Sequence, residues 1–180
     1  MVDWKEVIRF WFEELEPKDW WEKDAQLDEH IAKRFMNIHL AAVACELFPW
    51  RATAVGCLAE IIVLDQFSRN IHRDTALAFA NDSLALALAQ EAVTRGVDND
   101  LSQMQRTFLY MPFMHSESPI IHEWALELFE KNGIQNNLDF EIKHKVIIDR
   151  FGRYPHRNAL LGRESTAEEL AFLQEPGSSF

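Results

Sequence analysis

The sequence contains few of the residues that form cross-links and tight turns. Its 180 residues include two cysteines, six glycines and six prolines. Cys45 and Cys57 are too few for a disulfide framework or a thiolate metal site, so we predict two reduced, buried thiols in a cytoplasmic protein. With 48% hydrophobic residues, the scarcity of glycine and proline excludes a disordered or low-complexity chain.

Positive charge is also scarce. Lys and Arg total 18 against 29 Asp and Glu, which gives a net charge of -11. A negative field of this size repels phosphate backbones and anionic lipids, so we expect neither nucleic-acid nor membrane partners. Residues 1–15 carry acids and no cationic segment, which does not fit a signal peptide. The longest apolar stretches, such as 52–64, are too short to span a bilayer.

The sequence does contain helical periodicity along nearly its whole length. Apolar residues of 4–15 follow one helical face, and those of 24–45 follow another, including Cys45, until Pro49. Segment 51–67 is apolar around most of its circumference, which predicts a central, buried helix. Because no segment alternates with period two, we predict an all-α fold: an antiparallel array of about eight helices. A single helical domain should occupy 1–175, with a loose tail at 176–180.

Capping and helix-breaking residues predict the remaining helix boundaries. A helix over 74–95 should close on Gly96 and divide near 81–82, and the helix that starts at Ser102 should end or kink at Pro112. Three further helices are expected: 118–132, opened by Ser118 and Pro119; one capped by Asp139 and closed by Gly152; and a short one opened by Thr166 and Glu169.

One pattern occurs twice. The first copy, "IIVLDQFSRNIHR" at 61–73, and the second copy, "VIIDRFGRYPHR" at 146–157, share Asp-x-Phe-(Ser/Gly)-Arg-x-x-His-Arg. Asp65 corresponds to Asp149, and Arg73 to Arg157. About a dozen positions align around each copy, which is too few to establish an internal duplication.

The repeated pattern has a structural and a functional interpretation. In the structural one, Asp65 with Arg69, and Asp149 with Arg153, form i, i+4 salt bridges that end buried helices. In the functional one, so many cations in an acidic chain require a ligand, and the planar fork of arginine matches carboxylates and phosphates. The residues predicted to bind a small anion are Asp65, Arg69, Asn70, His72, Arg73, Arg153, Arg157 and Asn158.

Several other side chains are suited to chemistry. Those that could move protons are His115, Glu117, His144 and His156, although an inward histidine such as His144 is more often a hydrogen-bonded core residue.

A metal site is also conceivable from the residue types. A two-His-one-carboxylate set could come from His72, His115, Glu117 and His144, but nothing in their spacing places them together, so we predict no metal. No phosphate loop or GxSxG motif is present, and we predict no cofactor. Trp4, Trp11, Trp20 and Trp21 are expected to be packing residues.

Long segments resemble a known family. The segments "LDQFSRNIHRDTALAFANDSLAL", "FLYMPFMHSES", "RFGRYPHRN" and "LGRESTAEELAFL" resemble the bacterial family catalogued as domain of unknown function 924, from residue 7 to about residue 173. The resemblance implies a tetratricopeptide-like, superhelical all-α fold. It implies no function and no catalytic residues. Tyr154 stands where phenylalanine is more usual.

Two hypotheses of function follow, and the sequence leaves open whether the protein is an enzyme. One is a site for a small anion, in which both copies line one cleft with His115, Glu117 and His144. The other is a scaffold for a protein or peptide, with the Arg/His clusters as internal ion pairs. We expect Asp65 and Asp149 to be buried against arginines, and Glu60 to pair with an arginine of either copy. Anion binding should tighten below about pH 6.5 as histidines become charged.

Overall fold

The computed structural model describes residues 3–179, and the regular structure in this range is helical throughout. The helices are α1 (Trp4–Arg9), α2 (Ala25–Val43), α3 (Ala54–Ile62), α4 (Ser68–Ile71), α5 (Asp82–Thr94), α6 (Gln103–Met114), α7 (Pro119–Asn132), α8 (Gln135–Phe151) and α9 (Ala167–Phe172). A π-helical segment, Val63–Phe67, joins α3 to α4 without a break. These described residues therefore form eight separate helices, and the predicted all-α class is confirmed.

The core is built around α3. Thr53 caps this helix by accepting a hydrogen bond from the amide of Gly56, and residues 56–65 are all buried. Helices α1, α5 and α6 pack against α3, and α2 packs against the π segment and α4. A side chain at Gly56 would place its Cβ 2.0 Å from the carbonyl oxygen of Trp50, so only glycine allows this approach. The prediction of a central, buried helix is confirmed.

Helix α2 begins as the sequence predicts but ends earlier. The Asp24 carboxylate accepts hydrogen bonds from the amides of Gln26 and Leu27. The helix stops at Val43, because Cys45 adopts a left-handed conformation with φ of 58° and turns the chain before Pro49. Cys45 is exposed and Cys57 is buried, so the prediction of two buried thiols is wrong for Cys45.

Two other boundaries differ from the sequence prediction. Pro112 lies inside α6, which continues to Met114. Asp139 does not cap α8, because Gly133 ends α7 with φ of 78° and α8 already begins two residues later, at Gln135. Asp139 instead accepts a hydrogen bond from Gln135 within the first turn of α8.

Helices α6, α7 and α8 pack in sequence, and their short connections reverse the chain direction at each step. After α8, Gly152 adopts φ of 66° and the chain turns away into a 3-10 segment, Pro155–Arg157. Ile147, Ile148 and Tyr154 form a small second cluster, with Phe151 and Phe172 packed against it. In the segment predicted to be a loose tail, Ser178 is buried and donates a hydrogen bond to the carbonyl of Leu173.

Candidate functional site

A recess of about 700 Å³ opens where the 3-10 segment Pro17–Trp20, α4, the end of α6, the start of α8 and the second copy meet. Its apolar lining comes mainly from Trp11, Trp20, Trp21, Ala78, Phe79, Met111, Met114, Phe140, Tyr154 and Leu160. Its polar lining includes Gln66, Arg69, Asn70, Arg73, His115, Asn136, Asn137, His144, His156 and Arg157. A recess with apolar walls and several convergent polar groups has the usual make-up of a small-molecule site.

Arginines from both copies meet at the recess through one carboxylate. Arg69 donates to the two oxygens of Asp82 at 2.8 and 3.0 Å. Arg157 donates to the same Asp82 at 3.3 Å. Asp82 opens α5, so the division of 74–95 into two helical pieces places this acid between the two arginines. The two copies are brought together at this point, as the functional interpretation requires.

Arg157 is the less compensated of the two arginines. It is 6% exposed, and its guanidinium lies between the rings of Phe79 and Tyr154, 4.6 Å from each ring centre. Its Nε is buried and has no hydrogen-bond partner within residues 3–179. Burial and the neighbouring Arg69 lower the pKa of Arg157. A buried guanidinium that is held by one long contact to a shared carboxylate is a favourable place for an anion.

Asp65 forms the centre of the first copy. It is fully buried, and its Oδ1 contacts Nδ1 of His115 at 2.7 Å and Nη1 of Arg69 at 3.2 Å. Its other oxygen accepts a hydrogen bond of 2.6 Å from Gln66. Burial alone would raise the pKa of Asp65, but Arg69 and His115 outweigh burial and hold it well below the ordinary value of 3.8. The prediction of a buried, arginine-paired Asp65 is confirmed.

Three histidines line the recess, and burial lowers the pKa of each. For His115 the second cause is the charge of Arg69. For His144 the pKa falls to about 3, and for His156 to about 4. His144 donates from Nδ1 to the carbonyl of Phe140 at 2.7 Å. Burial therefore opposes a charge on all three, and His144 and His156 are neutral at pH 6.5, so they do not support the expected tightening of anion binding near that pH.

The rest of the first copy is divided between the recess and the core. Arg73 and Asn70 line the recess, where both donate to Asp28 of α2; Nη2 of Arg73 and Nδ2 of Asn70 contact the same oxygen at 2.7 and 2.8 Å. His72 does not line the recess, and its ring lies 5.3 Å from that of His39. Arg73 is thus already paired with a carboxylate, which weakens its case as an anion ligand.

Several residues predicted for the site lie elsewhere. Arg153 does not pair with Asp149, and it binds the buried Glu169 through two hydrogen bonds of 2.6 and 2.8 Å. The Asp149 side chain is 49% exposed and contacts Lys145, so its predicted burial against an arginine is wrong. Gly152 is the cause, because it ends α8 at Phe151 and removes Arg153 from the helix that carries Asp149.

Glu117 and Asn158 also lie outside the recess lining, and both support the second copy from behind. Glu117 accepts two hydrogen bonds from Arg163, at 2.6 and 2.9 Å, and one from the amide of Tyr154. Asn158 donates to Ser165 and accepts from Arg163. Their role in this arrangement is to fix the turn that presents Tyr154 and Arg157.

Glu60 is paired, but not with either copy. Nε and Nη2 of Arg51 contact its two oxygens at 2.7 Å each. Arg51 follows Pro49 in the 3-10 segment Phe48–Ala52, which lies directly before α3. The expectation that Glu60 would bind an arginine of the repeated pattern is wrong, because Arg51 occupies both of its oxygens. Arg69 is bound to Asp65 and Asp82 instead.

Three features of the site were not predicted from the sequence: the carboxylate of Asp82, the ring of Phe79, and the lining formed by Trp20 and Trp21. Asp82 was noted only as a helix divider, although an acid between two arginines is what the cation excess required. Trp20 and Trp21 were predicted to be packing residues, but both line the recess and Trp21 is 53% exposed. A polar sequence context around both rings, with Asp19, Glu22 and Lys23 beside them, was the available signal.

Within residues 3–179, no three His, Cys, Asp or Glu side chains converge as metal ligands. In the same range, none of the helices combines the length and the apolar character needed to cross a membrane.

Comparisons with other proteins identify the family. Residues 7–177 match the family described as "Bacterial protein of unknown function (DUF924)". This chain belongs to the DUF924 family. It is similar to a solved structure of a protein of unknown function, ATU0120, from Agrobacterium tumefaciens, with 40% sequence identity and a TM-score of 0.90 over 95% of this chain and 96% of that one. No match was found among curated proteins.

Proposed function

We propose that this DUF924 protein binds a small organic anion in the recess, with the acidic group of the ligand at Arg157. The observation that carries the proposal is the incomplete pairing of this buried guanidinium. Asp82, its carboxylate partner at 3.3 Å, already accepts two shorter hydrogen bonds from Arg69. Nη2 of Arg157 makes no hydrogen bond within residues 3–179, which leaves it available to a ligand.

The walls of the recess favour an anion with an apolar body. Trp20, Trp21 and Phe140 contribute rings at its lining, and Met111 and Met114 contribute flexible thioether side chains. A ring or short hydrocarbon can pack against these groups while its carboxylate or phosphate reaches Arg157. A volume of about 700 Å³ matches the size of a small-molecule pocket.

The alternative prediction, a tetratricopeptide-like scaffold for a protein or peptide, rests on resemblance. A peptide-binding scaffold would use an extended concave surface, whereas the cationic groups here converge on one recess. The cytoplasmic location and the tetratricopeptide-like character of the fold stay predictions.

The test is a thermal-shift titration with benzoate, citrate and phosphate. Wild type should melt at a higher temperature with at least one of them, by an amount set by concentration over dissociation constant. Arg157→Gln should lose this rise. Arg150→Gln is the matched control, because Arg150 lies in the same copy, binds Glu168 and is 44% exposed outside the recess.

Two results would overturn the proposal. One is a rise that survives in Arg157→Gln while the helix content, measured by circular dichroism, is unchanged. The other is the absence of any rise in wild type with all three anions at concentrations up to tens of millimolar, roughly where binding ceases to be specific.

A further inference from the structure

A continuous chain of contacts joins two side chains of the recess. It runs from His115 to Asp65 at 2.7 Å, from Asp65 to Arg69 at 3.2 Å, and from Arg69 through Asp82 to Arg157 at 2.8 and 3.3 Å. His115 and Arg157, the two ends, both line the recess. The three interior members are held by their neighbours, so the positions of the two ends are coupled to each other.

The contact with Asp65 fixes which nitrogen of His115 carries its proton. Arg69 and His115 keep the pKa of Asp65 low, so the carboxylate is ionised at neutral pH and can only accept hydrogen bonds. Nδ1 of His115, 2.7 Å from Oδ1, must therefore donate. In the neutral imidazole this leaves Nε2 with an unshared electron pair. Nε2 has no hydrogen-bond partner within residues 3–179.

The unshared electron pair on Nε2 of His115 limits which chemical groups of a bound anion can lie next to it. A second acidic oxygen would be repelled by this electron pair, whereas a hydroxyl group would donate to it. The buried Asp65 would then stabilise the imidazolium formed when the hydroxyl proton moves to Nε2, which is the role of the orienting acid in an Asp–His pair. His144 has a backbone carbonyl at the corresponding nitrogen, and a carbonyl gives less support to a cation.

We infer that the ligand is an anion that also carries a hydroxyl group, and that His115 is the base that removes the hydroxyl proton. The inference rests on the proposed anion site at Arg157. In the step, the O–H bond breaks, the electron pair stays on the ligand oxygen, and the proton forms a bond to Nε2. Asp65 is a positioning residue, because it holds Nδ1 and touches no ligand atom. The proton returns by the reverse transfer, so no oxidant, reductant or metal is needed.

The titratable and charged groups that act on His115 come from four segments of the chain. They are Asp65 of the π segment, Arg69 of α4, Asp82 of α5 and His144 of α8. Arg69 opposes a charge on His115, and the two aspartates favour it. Burial is the largest effect, and together with Arg69 it lowers the pKa of His115, which favours the neutral form that a proton acceptor requires.

The experiment uses hydroxynitrobenzoates, whose phenolate forms absorb visible light. Three isomers that place the hydroxyl group at different distances from the carboxylate are titrated into the full-length protein, with 3-nitrobenzoate as the probe that lacks a hydroxyl. The pH is set so that each free phenol is un-ionised. At least one isomer should ionise on binding to wild type. In His115→Gln the ratio of ionised to un-ionised bound phenol should fall by about tenfold or more, which corresponds to one unit of pKa.

Histidine 15N resonances provide a test that does not depend on a variant. In wild type, Nδ1 of His115 should be the protonated nitrogen, and Nε2 should become protonated when the ionising isomer binds. His30 is the matched control, because it is exposed on α2 and lies outside the recess, so its resonances should not change.

The outcomes separate this inference from the proposed function. If 3-nitrobenzoate binds through Arg157 but no isomer ionises, or if ionisation is undiminished in His115→Gln, the base assignment is overturned and the anion site stands. A protonated Nε2 on His115 before ligand is added would also overturn the assignment. If none of the nitrobenzoates, citrate or phosphate binds, both proposals are overturned.

Discussion

The backbone conformations of the two copies differ most at the position that is serine in the first copy and glycine in the second. In the first copy, Ser68 has helical angles (φ -56°, ψ -42°), so the helix continues from the π segment into α4. In the second copy, the corresponding Gly152 adopts φ of 66° and the helix ends. Asp65 and Arg69 therefore lie one turn apart on a continuous helix and contact each other, whereas Asp149 and Arg153 are separated.

Because of this difference, the two copies contribute to the site in different ways. The first copy forms the buried centre of the site, where Asp65 binds Arg69 and also His115 at the end of α6. Arg69 binds α5 through Asp82, and Ser68 contacts His39 of α2. The second copy leaves its helix and delivers Tyr154, His156 and Arg157 to the recess by a turn that Glu117 and Arg163 brace. A repeated sequence pattern thus need not produce repeated contacts, because one residue in the left-handed region redirects everything that follows it.

The largest expected effect is on stability, from removing the first aspartate of each copy. Asp65→Ala should lower the free energy of unfolding by about 3–5 kcal/mol, because it leaves the buried Arg69 and His115 without their carboxylate. Asp149→Ala should cost less than about 0.5 kcal/mol, since its contact with Lys145 is exposed. Urea denaturation of both variants measures the difference. Equal losses would mean that the two copies are equivalent after all.

The next effect is on the pH dependence of stability. Burial lowers the pKa of His39, which contacts Ser68 of the first copy, and of His156 in the second copy, to about 4 from 6.5. The unfolded chain then binds more protons than the folded one between these values, so stability is lost as pH falls from 6.5 to 4. Each histidine should account for about 2–3 kcal/mol of the loss.

Replacing His156 measures how much of this pH-dependent loss of stability comes from the second copy. His156→Gln should reduce the difference in the free energy of unfolding between pH 6.5 and pH 4, as measured by denaturation at both values. The contribution of His39 to that difference should remain. Glu141 acts in the opposite direction in this range, because burial raises its pKa, and it contributes equally to wild type and variant. A loss that is unchanged in His156→Gln would place the cause outside the second copy.

The smallest effect concerns the Ser/Gly position itself. Ser68→Ala should cost about 2 kcal/mol, because the Ser68 hydroxyl is buried between Nε2 of His39 at 2.8 Å and the carbonyl of Leu64 at 2.6 Å. Gly152→Ala should cost about 1 kcal/mol, since an alanine there has open space but an unfavourable positive φ. If Gly152→Ala were instead stabilising, the left-handed turn would not be what separates the copies.

The sequence by itself determined the parts of this protein that depend on neighbours along the chain. Helical periodicity predicted the all-α class and the central, buried helix. Asp24, Gly152 and the Thr166–Glu169 pair marked helix ends correctly, because caps and left-handed glycines act on backbone groups a few residues away. The Asp65–Arg69 pair was predictable for the same reason, since i, i+4 contacts need only an unbroken helix.

Only the tertiary structure decided which distant groups share a carboxylate. No pattern along the chain places Asp82 between Arg69 and Arg157, or His115 next to Asp65. Nor does one pair Glu60 with Arg51 in preference to another arginine, because the partner of a long side chain depends on three-dimensional proximity. It could not separate Arg157, which enters the recess, from Arg153, which turns to Glu169. The choice depends on where the chain goes after Gly152, and that path is fixed by Glu117, Arg163 and α9 packing around it.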